Sequence, residues 1–100
     1  MTARATRFDL TVDGSNRGVR LRRLADIRGG PQAARVLVDG AYAGIWQSTE
    51  VNPDLRRAEL DFELPEALTA GRSQLAVAID ASESPRPWTA FEYTALSHVP

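Results

Sequence analysis

The stretch RVLVDGAYAGIW, residues 35–46, carries the strongest local signal in this chain. A β-rich run leads into Asp39-Gly40, and a second run ends in Trp46. Asp-Gly between two such runs favours a two-residue type I′ turn, whose central residues both need positive φ. Regular pairing about that turn sets Val38 opposite Ala41, Val36 opposite Ala43 and Ala34 opposite Ile45. These six make one small apolar face that suits a domain core. The other face then carries Leu37 beside Tyr42, Arg35 beside Gly44 and Ala33 beside Trp46. The hairpin is therefore apolar on both sides. Arg35, Leu37, Tyr42 and Trp46 become the candidate interface or ligand-stacking residues. Three readings of them stay open. Loops of the same chain cover them, another domain or subunit packs on them, or the rings stack on a sugar.

Outward from the hairpin, the apolar period is two almost everywhere. Phe8, Leu10 and Val12 alternate with Arg7, Asp9 and Thr11. Ala58, Leu60, Phe62 and Leu64 alternate with Arg57, Glu59, Asp61 and Glu63. Leu75, Val77 and Ile79 alternate with Gln74, Ala76 and Ala78. Turn signals, DGSNRG, RGGPQ, NPD, TAGRS and SESPRP, separate the runs. The pattern predicts about seven strands, near 6–12, 18–24, 33–38, 41–47, 57–64, 73–80 and 89–98. It also predicts one short helical turn near 65–71, between a proline and Gly71. The expected fold is all-β, an antiparallel β-sandwich of jelly-roll type. Residues 1–5 are expected to fray and 6–100 to form a single sandwich domain.

Composition narrows the function classes. The net charge is −1 and a quarter of the residues are charged, so no basic excess points to nucleic acid or an acidic membrane surface. No apolar run approaches the roughly 20 residues that span a bilayer, and the N-terminus lacks the apolar core of a secretory signal. A cytoplasmic location is the expectation. There is no cysteine and a single histidine, His98. No metal site and no cofactor are expected. The spacing of an EF-hand calcium loop is absent, and whether loop carboxylates hold calcium stays open.

Few residues offer catalytic chemistry. No nucleophile elbow, phosphate-cradling loop or zinc-protease motif occurs. Glu59, Asp61 and Glu63 share one strand face with neighbours roughly 7 Å apart, within glycosidase range, yet this is also the pattern of any wet strand face. Arg23 interrupts the alternation of GVRLRRL by falling on the inward side. A bulge or strand end would relieve it, a carboxylate such as Asp26 would pair it, or it binds a ligand. Trp88 is a second candidate stacking residue.

Four stretches together resemble one family. They are NRGVRLRRLAD (16–26), QAARVLVDGAYAGIW (32–46), ELDFELPEALTAGRSQLAVAI (59–79) and WTAFEYTALS (88–97). Their order and spacing are similar to the C-terminal jelly-roll module of family 172 glycoside hydrolases, formerly the domain of unknown function 2961. The resemblance implies a protein built from two jelly rolls, assembled as an oligomer. It implies action on furanosides, including α-fructofuranosides and D-arabinan, through two glutamates. The family's glycine-rich segment, of the type GTG-acid-acid-Tyr-Phe, belongs to the chain before this module. Nothing here matches it, so no catalytic residue carries over. The expected function is a non-catalytic module that packs against a catalytic jelly-roll domain and supports a homo-oligomer, with carbohydrate as a further partner. The alternative is a free-standing carbohydrate-binding module stacking sugars on Trp46, Tyr42 or Trp88. A third reading is a small enzyme using the Glu59, Asp61 and Glu63 face.

Overall fold

A computed structural model describes residues 5–48 and 57–99. The expected NPD turn at 52–54 and residues 1–4 of the expected frayed N-terminus lie outside them. Among these described residues seven strands form in the expected places: β1 (Ala5–Thr11), β2 (Val19–Ala25), β3 (Gln32–Val38), β4 (Ala41–Ser48), β5 (Ala58–Leu64), β6 (Gln74–Asp80) and β7 (Glu92–Ser97). One short helix, α1 (Glu66–Thr69), follows Pro65 and lies within the predicted 65–71 turn. Among the described residues no helix is long and apolar enough to cross a membrane.

The strands make two sheets, ordered β1-β6-β3-β4 and β5-β2-β7. The pairs β3–β4, β2–β5 and β1–β6 are nested and antiparallel. This is a ribbon closed at the β3–β4 turn and rolled up so that successive pairs fall in alternate sheets, the jelly-roll arrangement. Joining β6 to β3 completes the first sheet, and β7 adds to the free side of β2 in the second. The fold is thus the all-β antiparallel sandwich that period-two patterning implies.

Alternation delivers one side chain in two to the space between the sheets. Val19 and Leu21 from β2 meet Leu64 from β5, Ala34, Val36 and Val38 from β3, and Leu75, Val77 and Ile79 from β6. Each fully buried aliphatic side chain contributes about 1.5–3 kcal/mol.

The Asp39-Gly40 turn forms as expected. Both residues have positive φ, 49° and 83°, and Val38 faces Ala41. Asp39 also ties the turn to β6. Its backbone N–H donates to Ala76 O at 2.7 Å, and its carboxylate accepts from Ala76 N–H at 3.0 Å and from Arg72.

Beyond the turn the hairpin departs from regular pairing. Leu37 faces Tyr42, but Val36 faces Gly44, Arg35 faces Ile45 and Ala34 faces Trp46. Ala43 is an extra residue on β4, a β-bulge. Because side chains alternate with period two, one inserted residue exchanges the faces of everything after it. Trp46 therefore turns into the core, 2% exposed, and Ile45 turns out, 48% exposed. The expected grouping of Trp46 with Leu37 and Tyr42 is corrected on this point. Gly44 is the residue that permits the change. Its φ is +138°, and a Cβ there would lie 3.0 Å from the Phe62 ring.

Candidate functional site

The outer face of the four-stranded sheet is the first candidate. Strand register places Arg7, Ala78, Leu37 and Tyr42 in one row across β1, β6, β3 and β4. The next row carries Asp80, Arg35 and Ile45. Ala76 and Ala33 extend the small, apolar centre along the strands. Tyr42 is 59% exposed and stands beside the partly exposed Leu37. Of the four residues chosen from the sequence, Leu37 and Tyr42 share this face and Arg35 borders it. Arg35 reaches Glu83 at 2.6 Å. Ile45 was missed by sequence reading, since regular pairing sends it inward. Its signal is the isolated glycine before it, which within a strand marks a bulge.

The opposite face of the sandwich, on the three-stranded sheet, has a different character. Arg20 and Arg22 on β2 stand directly across from Glu63 and Asp61 on β5. Arg22 Nε donates to Asp61 at 2.7 Å and Nη2 adds a second bond at 3.1 Å. Arg20 donates to Glu63 at 3.1 Å, and Arg22 lies 3.5 Å from Glu59. His98 meets Glu63 at 2.5 Å. The fork of Arg22 holds the Asp61 carboxyl below its ordinary value. A general acid in a glycosidase needs the reverse, a carboxyl whose pKa is raised. The Glu59, Asp61 and Glu63 row is thus an ion-paired wall, with Leu24 and Leu96 towards opposite ends of the face.

Between the sheets lies the second candidate. Arg23 faces inward with no register shift on either side of it, opposite Leu60 on β5 and Tyr93 on β7. No bulge relieves it, and it is 0% exposed. Its guanidinium lies 3.5 Å from the centre of the Trp88 ring and 5.4 Å from that of Trp46. Nη1 donates to Gln32 Oε1 at 2.8 Å and to the Thr89 carbonyl at 2.6 Å. Asp26, the carboxylate the sequence suggested as partner, is forked by Arg28 at 2.7 Å. Nε and Nη2 of Arg23 are buried with no hydrogen-bond partner among the described residues. Burial pushes the Arg23 guanidinium down to about 10, so it remains a cation at neutral pH. A buried ion held by neutral groups carries a desolvation penalty of several kcal/mol. Stacking on an indole returns only about 2 kcal/mol of it.

The aromatic residues close round this cation. Trp46 packs on Phe62 at 5.7 Å and edge-on against Trp88 at 5.6 Å. Trp88 Nε1 donates to the Tyr93 hydroxyl at 2.9 Å, and Phe8 stacks on Tyr93 at 4.5 Å. Burial raises the Tyr93 phenol above its ordinary value. Both tryptophans are turned towards protein, so Trp46 offers no open ring to a sugar, and Trp88 covers Arg23. Gln32 and Thr89 fasten the assembly: Thr89 N–H donates to Gln32 Oε1 at 2.9 Å, and Gln32 Nε2 donates to Asp26 O at 2.9 Å. Thus Arg23 and Trp88, separate in sequence, meet in one cluster. Gln32, Thr89 and Tyr93 join them without any motif to announce it.

Among the described residues no group of three or more His, Asp or Glu side chains could hold a metal ion. Compared with protein-family models, with curated proteins and with solved structures, the chain finds no match.

Proposed function

We propose that this chain is a non-catalytic jelly-roll module that associates through the outer face of its four-stranded sheet. In the setting its sequence resembles, that of a family 172 glycoside hydrolase, the module packs against a catalytic jelly roll and supports an oligomer. The observation that carries this reading is the contrast between the two outer faces. One is a wall of ion pairs. The other sets Tyr42, Ile45 and Leu37 over a floor of Ala33, Ala76 and Ala78. Aromatic and aliphatic knobs over small residues are the relief that sheet-on-sheet packing uses.

Charge favours another copy of this chain as an occupant. The face carries both signs, Arg7 and Asp9 on β1 and Arg35 and Asp80 further along. A two-fold related copy can set each arginine against an acidic residue, as an isologous contact requires. Four strands of seven or eight residues span about 19 Å by 25 Å. Two such faces approach the roughly 1,000 Å² that separates a specific interface from a chance contact. Association is therefore expected in the micromolar range or weaker, and light scattering across that range tests it. A mass above the 10.9 kDa of one chain, lowered by Tyr42→Lys, supports the reading. A wild-type monomer at every concentration sinks it.

A further inference from the structure

Arg23 carries more hydrogen-bonding capacity than the fold uses. Its one engaged nitrogen, Nη1, already has two acceptors, Gln32 Oε1 and the Thr89 carbonyl. The two buried donors without partners among the described residues are Nε and Nη2. These are not scattered atoms. They form one edge of the planar guanidinium, and their N–H bonds run parallel. That edge is the fork with which arginine takes both oxygens of a carboxylate. An ionised group buried with such an edge open is a poor device for stability, because a well-packed apolar side chain serves the core better.

A surface cavity lies beside the groups that Arg23 bonds. Gln32 and Thr89 each bond Arg23 or its neighbours, and each also lines a surface cavity with Asp26, Arg28, Gly29, Arg86 and Pro87. Arg86 and the Arg28–Asp26 pair thus stand at the cavity and leave it a net positive charge, which favours an anion approaching it. The cover over Arg23 is the 81–91 segment, which brings Trp88 and Thr89 between β6 and β7. It is held by the bond from Arg23 Nη1 to the Thr89 carbonyl, by neutral bonds from Thr89 to Gln32 and Asp26, from Ala33 N–H to Ser84 Oγ and from Phe91 N–H to Leu24 O, and by the exposed Arg35–Glu83 pair. No strand ladder binds it to either sheet along 81–91.

We propose that Arg23 is the recognition group of a carboxylate-binding site beneath the 81–91 segment, entered from the cavity that Gln32 and Thr89 wall. The ligand class is a small carboxylate. Its two oxygens accept from Nε and Nη2, while Trp46 stays beside the guanidinium. Binding requires the 86–89 stretch to shift, so the site is closed when empty.

The test uses the whole chain and its Arg23 Nε–H resonance, which burial protects from rapid solvent exchange. Sodium acetate is titrated against sodium chloride at matched ionic strength. The expected result is a saturable downfield shift of that resonance with acetate and none with chloride, together with altered amide exchange across 82–91. Glucuronate and N-acetylglutamate, titrated in parallel, tell whether a sugar acid or an amino-acid carboxylate is the better ligand. Arg23→Lys keeps the charge and loses the fork, so acetate affinity should fall about tenfold or more. If that variant does not fold, the wild-type titration decides alone. No saturation by acetate at concentrations on the order of 100 mM overturns the proposal, since the edge then holds only water. An equal response in Arg23→Lys overturns it too.

Discussion

Replacing Gly44 with alanine tests the bulge that sets the direction of Trp46. Gly44 has φ +138°, a region closed to residues with a Cβ, and occupying it costs of the order of 1–3 kcal/mol. The added Cβ would also stand 3.0 Å from Phe62 Cζ. Phe62 must then give way, and its ring packs on Trp46 at 5.7 Å in an aromatic pair of a kind that contributes about 0.5–1.5 kcal/mol. Together these give a loss of about 2–4 kcal/mol, a large share of the 5–15 kcal/mol that holds an ordinary domain. Urea unfolding followed by tryptophan fluorescence reads the change, with Gly40→Ala and Gly29→Ala as references. Gly40 has φ +83° with open space around it, so its variant suffers backbone strain alone, about 1–2 kcal/mol. Gly29 has neither feature, and its variant should stay within about 0.5 kcal/mol of wild type or gain slightly. The predicted order of loss is Gly44, then Gly40, then Gly29. A Gly44→Ala variant no less stable than Gly40→Ala would refute the reasoning, because the ring contact would then carry no weight.

Other outcomes follow from the same geometry. Trp46→Ala should cost about 3–5 kcal/mol and leave the chain at the edge of folding, measured by thermal unfolding, whereas Tyr42→Ala on the outer face should change stability by less than about 1 kcal/mol. Arg23→Met should be neutral or stabilising, by up to about 4 kcal/mol, because an apolar side chain replaces a buried ion; a loss above about 2 kcal/mol would show that the cation holds the core together. Asp61 has a folded pKa below its ordinary value, so its contribution is present above pH 3.8 and is lost as pH falls through the lower folded value. Asp61→Asn should therefore destabilise by at most about 1 kcal/mol at neutral pH, with the difference from wild type closing in acid urea titrations below that point.

Much of the fold is legible in the residues. Period-two alternation marks the strands, and Asp39-Gly40 marks the turn with both φ values positive. The nested pairing that makes the roll follows once the closing hairpin is known. Trp46 was misplaced for a particular reason. Pairing outward from the turn is correct for two pairs, Val38 with Ala41 and Leu37 with Tyr42, and then fails at Ala43. A single glycine decides that failure, and Gly44 can equally be read as space for a neighbouring side chain. The ring that crowds Gly44 is that of Phe62, which comes from the other sheet and lies 18 residues further along the chain. Arg23 shows the opposite case. Its inward parity is plain in GVRLRRL, and the structure keeps that parity without a bulge. Its partners were illegible because Gln32, Trp88 and Thr89 reach it from β3 and the 81–91 segment. No local spacing connects those positions to residue 23.

The measurement that bears most directly on the docking face is the solution mass of the chain by light scattering, from low to high micromolar concentration, beside Tyr42→Lys. The wild-type mass is expected to rise with concentration above 10.9 kDa, and the variant, equally stable to urea, to stay at that value. A wild-type mass fixed at one chain throughout, or a rise that Tyr42→Lys leaves intact, would contradict this expectation.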